Sequence, residues 1–236
     1  MNMILIHGSW HGAWCWEKVI PLLEAAGHNV FALDLPCHGE DSRPRKGVTL
    51  ETYVNCVEQL LQKLAVPSML VGHSMGGIVI SQVAEKLPEK IAKLVYLAGF
   101  MPENGDSLLS LANQQPLNDI TASIRGVPAE NALYFPMEHM KSFAYNACPS
   151  GTYESIASRF CVEPFLPSAT PVTLTNERYG RVERVYIECS EDNAIALSSQ
   201  KRMIQRSPCQ VFQLACDHSP FYSDPEGLAS ILMKLA

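Results

Sequence analysis

Residues 72–76 of this 236-residue chain read Gly-His-Ser-Met-Gly. They follow the apolar run Ser68–Val71 and precede a stretch in which Ile78, Val79, Val83 and Ala84 recur at helical spacing. Alone, a glycine-x-serine-x-glycine arises by chance; between a buried strand and a helix it specifies a sharp strand-to-helix turn. The serine then sits on a strained backbone with its hydroxyl above a sheet. Glycines at 72 and 76 remove the Cβ atoms that would strike neighbouring backbone. The helix beyond brings the positive end of its dipole to any negative charge that develops there.

Such a turn needs a parallel sheet around it, and the remaining chain alternates short apolar runs with amphipathic stretches in the manner of β-α-β units. Strands are predicted at Met3–Ile6, Asn29–Leu33, Ser68–Val71, Lys93–Leu97, Arg184–Glu188 and Gln210–Leu214. Their near-continuous apolarity suits strands covered on both faces. Helices are predicted at Ala13–Ala26, Leu50–Leu64, Gly76–Lys86, Leu197–Arg206 and Pro225–Leu235. The rhythm breaks between Pro102 and Pro171, a stretch rich in Pro, Asn, Ser and Gly with isolated aromatics. An unstructured loop that long is unusual in a compact domain. The expectation is one α/β domain over residues 1–236: a mostly parallel sheet of about six strands flanked by helices (core 1–101 and 172–236). A small, largely helical cap covers the site at about 102–171; the aromatics argue against a disordered excursion.

A serine hydroxyl attacks only when a base takes its proton, and in this architecture the partners follow in the order acid, then histidine. Asp192 falls in the loop after Arg184–Glu188 and His218 in the loop after Gln210–Leu214, both at the sheet edge that carries Ser74. His218 is the expected base, and Asp192 would fix its tautomer and stabilise the imidazolium. Glu191 is the nearest rival to Asp192, while Asp217 reads as a loop-capping residue. His7 and His73 adjoin glycine turns and read as structural. His11 can reach the pocket, but it precedes the serine and has the wrong order for the base.

The first strand runs into His7-Gly8-Ser9-Trp10-His11-Gly12, a loop whose backbone N–H groups can face a tetrahedral oxyanion. The expected donors are the amides of Ser9 and Met75. Trp10, His11, Phe100, Tyr134 and Phe143 are the expected pocket lining.

Composition narrows the partners. A formal charge of −6, with no long run of one sign, leaves no excess of Lys and Arg to neutralise phosphates, so neither nucleic acid nor an anionic membrane is expected. The eight cysteines are widely spaced in a chain large enough to fold without staples, and no C-x-x-C or close Cys/His pair suits zinc. The N-terminus has no basic region, long apolar core or cleavage site, and no apolar run reaches membrane-spanning length; a cytoplasmic protein is expected. Neither a metal nor an organic cofactor is expected, and a homodimer would be unsurprising.

The segments HGSWHGAWCW, PLLEAAGHNVFALDLPCHG, LVGHSMGG, LVYLAGFMP, RVYIECSEDNAI and DHSPFYSDPEGLA resemble the plant methylesterase and hydroxynitrile lyase group of the α/β-hydrolases and its bacterial esterase relatives. The resemblance spans nearly the whole chain and is weakest across the cap. It implies the α/β-hydrolase fold and a triad on Ser74, Asp192 and His218. Hydroxynitrile lyases of this group carry threonine after the first-loop histidine and lysine after the catalytic one; here Gly8 and Ser219 stand there, which disfavours cyanohydrin cleavage. Methylketone synthases lack the serine that this chain retains. Cys37 replaces the glycine of an L-P-G-H-G loop, either as a packing change or as a thiol at the pocket rim; the former is favoured. The expected activity is hydrolysis of a small carboxylic ester of methyl or aryl type. Thioester or other acyl-releasing hydrolysis uses the same residues, and a small-molecule receptor with a retained triad is the reading from another class.

Overall fold

The computed structural model describes residues 1–116 and 119–236, apart from the side chains of Asp119 and Ile120. Six parallel strands form the central sheet: β1 (Asn2–Ile6), β2 (Asn29–Leu33), β3 (Ser68–His73), β4 (Ile91–Leu97), β7 (Arg184–Cys189) and β8 (Gln210–Leu214), in the order β2-β1-β3-β4-β7-β8. The remaining two, β5 (Arg125–Val127) and β6 (Ala132–Tyr134), pair antiparallel outside it. Side chains alternate across a strand. Met3, Leu5, Val71, Val95 and Ile187 therefore enter one core layer, and Ile4, Ile6, Leu70, Leu94 and Tyr186 the other.

Helices α1 (Ile20–Ala25) and α11 (Pro225–Leu235), the latter following the short α10 (Pro220–Ser223), supply Leu23, Leu228 and Leu232 to the first layer. On the opposite face, α2 (Leu50–Lys63), α3 (Gly76–Lys86) and α9 (Leu197–Arg206) supply Val54, Val57, Val79, Val83 and Met203. The single helix expected over Ala13–Ala26 is instead a 3-10 turn at Ala13–Trp16 followed by the short α1. Pro21 in the first turn of α1 has no N–H to continue a helix from before it, but is well tolerated at a helix start.

Among the described residues between β4 and β7 lie five α-helices of four or five residues: α4 (Leu108–Ala112), α5 (Asp119–Ala122), α6 (Met140–Ala144), α7 (Thr152–Ile156) and α8 (Phe165–Ala169). The β5–β6 pair among them departs from the largely helical expectation; Asn131 makes its turn in the left-handed region (φ 47°). The Asn131 amide donates to the carbonyls of Arg45 (2.6 Å) and Val48 (2.9 Å), and its oxygen accepts Leu166 N–H at 2.8 Å. This segment is thereby tied to the loop before α2.

Strand order reverses at β1, with β2 on one side and β3 on the other. The loops leaving the carboxyl ends of β1 and β3 diverge there and open a crevice, the usual ligand position in such sheets.

Candidate active site

At the end of β3 the chain turns sharply through Ser74, whose φ is 51°. A non-glycine residue in that region costs of order 1–3 kcal/mol and persists only where its surroundings hold it. They do: Ser74 N–H donates to Leu97 O (3.2 Å), and Ser74 O accepts the N–H groups of Gly77 and Phe100, each at 3.0 Å. A Cβ on Gly72 would lie 2.6 Å from the Gly76 carbonyl, and one on Gly76 would lie 2.7 Å from Ile6 O. Both flanking glycines are required by close backbone approach.

The loops after β7 and β8 bring Asp192 and His218 together. His218 Nδ1–H donates to Asp192 Oδ2 at 2.7 Å, and the N–H groups of Ala194 and Ile195 donate to Oδ1 at 2.7 Å each. Gln200 on α9, a residue with no signal in the sequence motifs, donates to Asp192 Oδ2 (3.3 Å) and exchanges bonds with both backbone groups of Cys189 (3.0 and 3.1 Å). It fastens the acid's loop to the strand before it. Glu191, the rival acid, points to solvent, whereas Asp192 is buried. Asp217 accepts from Ser219 N–H, Ser223 Oγ and Ala147 N–H and so caps its own loop. Ser74 and His218 line one cavity. Among the described residues no hydrogen bond joins them, a contact that commonly tightens only when substrate is bound.

His73 positions the imidazole from behind: its Nε2–H donates to the His218 carbonyl at 2.8 Å. Burial holds His73 well below the ordinary histidine value, so it is neutral. Its Nδ1 has no hydrogen-bond partner among the described residues. That atom and Ser74 Cβ would each lie 2.8 Å from a side chain at position 8. Glycine there is a steric requirement of this arrangement, which a threonine would displace.

In the loop after β1 two successive carbonyls are held by histidine side chains. His7 Nδ1–H donates to Gly8 O (2.8 Å) and His11 Nδ1–H to Ser9 O (2.7 Å). His11 Nε2 then accepts from Tyr145 OH at 2.7 Å. Burial drives His7 well below its ordinary value and His11 down to about 3, leaving both neutral. Among the described residues the N–H groups of Ser9 and Met75 donate to no protein atom. Two unengaged amides flanking the serine turn can donate to a developing oxyanion.

The cavity measures about 310 Å³ and is lined, besides these residues, mainly by apolar side chains. Trp10, His11, Phe100 and Phe143 line it as the sequence led us to expect. Tyr134 does not. Its ring lies under the Arg125 guanidinium and its hydroxyl donates to Glu130 at 2.6 Å, outside the cavity. Alternation along β6 puts its neighbour Leu133 on the cavity side instead. Phe165, one of the isolated aromatics of the inserted segment, also lines it, and Met140 and Ile195 contribute without a signal in the sequence. Cys37 is not part of the lining; its thiol donates to Arg43 O at 3.1 Å. No Asp, Glu, Lys or Arg appears among the described lining residues, and no group of three or more His, Cys, Asp or Glu is placed among the described residues to hold a metal ion. No helix among them is long and apolar enough to cross a membrane.

The profile of the alpha/beta hydrolase family matches residues 3–231. Methylesterase 7 of Arabidopsis thaliana is 35% identical over 250 residues, covering 100% of this chain and 96% of its own, and Methylesterase 1 of the same plant is 34% identical over 100% and 95%. Among solved structures, a pyrethroid hydrolase from Sphingobium faniae JZ-2 superposes with a TM-score of 0.89 at 28% identity, over 100% of this chain and 96% of the other. Polyneuridine aldehyde esterase superposes with a TM-score of 0.89 at 26% identity, over 99% and 98%. The chain belongs to the alpha/beta hydrolase family, within its methylesterase-like group. It is a carboxylic ester hydrolase.

Proposed function

We propose that Ser74, His218 and Asp192 form a catalytic triad that hydrolyses a small, uncharged carboxylic ester of methyl or aryl type through an acyl-enzyme. Ser74 Oγ attacks the ester carbonyl carbon while His218 Nε2 takes its proton. The Asp192 carboxylate holds the other nitrogen protonated and stabilises the imidazolium. The amides of Ser9 and Met75 receive the oxyanion. His218 returns the proton to the leaving alcohol, and water then attacks the acyl-enzyme by the same route, freeing the acid and Ser74.

The observation that carries this reading is the 2.7 Å His218–Asp192 bond at the edge of a cavity that also exposes Ser74. The lining is uncharged among the described residues, which favours a neutral substrate, since a carboxylate entering it would lose its hydration without gaining a cation from them. The names of the relatives support ester chemistry and leave the acyl group open. The test is a hydrolysis panel of methyl, aryl and short-chain esters with matched thioesters and a charged half-ester, run on the parent and on Ser74→Ala. Parent turnover of neutral oxygen esters, lost in Ser74→Ala, is expected. Full activity in Ser74→Ala sinks the mechanism, and preference for thioesters or the charged half-ester sinks the substrate class.

A further inference from the structure

Glu163 is fully buried, and its carboxylate is surrounded by donors from three parts of the chain. Tyr53 OH, on α2, donates to Oε1 at 2.9 Å; His38 Nε2 and the backbone N–H of Trp10 each meet Oε2 at 3.0 Å. His38 is itself fully buried, and its other ring nitrogen faces the Pro36 carbonyl at 3.1 Å. With an acceptor at each nitrogen, its geometry is that of an imidazolium. Burial pushes His38 down, but the Glu163 carboxylate and the Cys161 side chain together hold the group well above the ordinary histidine value.

A buried ion pair is weak evidence of a stabilising device, because desolvating two charges offsets most of their attraction. The third donor is what gives this one a direction. Trp10 has a φ of 64°, a left-handed conformation that a bulky residue does not adopt unaided. The segment between β4 and β7 holds it at three points: Glu163 takes its N–H, Cys161 N–H donates to its carbonyl (3.0 Å), and its indole donates to Leu133 O (3.1 Å). Leu133 N–H donates in turn to Glu163 O at 2.7 Å, closing the clamp. Trp10 N–H and Ser9 C=O belong to one peptide unit, and the carbonyl end is already held by His11. The Ser9 N–H lies in the preceding Gly8–Ser9 peptide, whose carbonyl is held by His7 Nδ1–H (2.8 Å) and His11 N–H (3.3 Å); with the peptides on both sides of Ser9 fixed, that N–H has one direction.

We propose that Glu163 is a positioning residue for ester hydrolysis: its carboxylate, set between His38, Tyr53 and the Trp10 amide, holds the Ser9–Trp10 peptide so that the Ser9 N–H faces the oxyanion. This rests on the oxyanion role given to Ser9 above. It makes the charge pair a link between the segment over the cavity and the loop beneath it.

Glu163→Gln keeps the size and shape of the side chain and removes its charge. The measurement is kcat and KM on a neutral aryl ester, normalised to active sites titrated with a fluorophosphonate. Because a misdirected oxyanion donor weakens the transition state and not the ground state, kcat per titrated site should fall roughly 10–100-fold with KM within about twofold. A merely structural role would lower the titratable fraction and leave kcat per site near the parent value; that result overturns the proposal. Should Glu163→Gln fail to fold, Tyr53→Phe removes one donor and leaves the carboxylate. A several-fold fall in its kcat at unchanged KM supports the proposal, and parent-like kcat overturns it. Ester turnover by Ser74→Ala would signal instead that the triad reading has failed.

Discussion

Asp192 gives one oxygen to the backbone and the other to side chains: Oδ1 holds the N–H groups of Ala194 and Ile195, and Oδ2 holds the imidazole at 2.7 Å and the Gln200 amide at 3.3 Å. In Asp192→Asn the amide oxygen keeps the two loop amides, so its NH2 turns toward His218 Nδ1. The imidazole must then carry its proton on Nε2, the nitrogen required as base. A fall of about 10³–10⁴ in kcat, with little change in melting temperature, is expected on a neutral ester. A loss below tenfold would exclude the assigned role of this carboxylate.

Gly8→Ala tests the contact between the first loop and the turn at Ser74. The added Cβ meets Ser74 Cβ and His73 Nδ1 at 2.8 Å, with backbone behind both. Relief requires His73 to move, and His73 holds the carbonyl of His218. Chemical denaturation should show a loss of about 1–3 kcal/mol, accompanied by lower kcat. Parent-like values in both would mean that the pocket behind Ser74 yields more easily than its burial implies.

Much of this arrangement was legible in the sequence. The six strands announce themselves as apolar runs, and Ser74, Asp192 and His218 follow from a motif with its context and from chain order. Other features left no local trace. His38 and Glu163 lie 125 positions apart and acquire meaning only when folded against each other. Gln200 looks like any polar helical residue until its amide meets Asp192. Tyr134 was misplaced because β6 is three residues long, too short for alternation to reveal which side faces the cavity.

Four buried histidines give the stability a defined pH profile. His7, His11 and His73 are held below the ordinary value near 6.5 by burial, His11 to about 3. As pH falls below about 6.5 the unfolded chain protonates these rings and the folded chain does not, so stability drops by up to about 1.4 kcal/mol per pH unit for each. His38 acts in the opposite sense: its raised folded value contributes stability fully below 6.5, lost as pH rises through that folded value. Urea melts between pH 7 and 5, above the range where most carboxylates titrate, should show stability falling with acid. A flat profile there would contradict the neutral assignments.

Cys37 occupies a left-handed position (φ 72°) with its thiol on Arg43 O. Glycine relieves about 1 kcal/mol of strain there, against a weak thiol hydrogen bond and some added chain entropy. Cys37→Gly should leave stability equal or raised by up to about 1 kcal/mol, with kcat unchanged because residue 37 does not line the cavity. A clear loss of activity would bring the thiol back into consideration as part of the pocket rim.

Phe143 and Tyr134 separate lining from bystander. Phe143 forms cavity wall and packs against Phe135 with ring centroids 4.8 Å apart, while Tyr134 turns outward onto Arg125 and Glu130. Phe143→Leu removes ring volume from the wall at a cost of about 1 kcal/mol in stability. If the acyl group rests there, kcat/KM for a bulky aryl-acyl ester relative to an acetate should rise several-fold, since one or two methylenes of fit are worth about 1–3 kcal/mol in an apolar pocket. Tyr134→Ala should leave that ratio unchanged. The reverse pattern, with Tyr134 altering selectivity and Phe143 inert, would require the acyl group to leave the cavity on the outer side of β6.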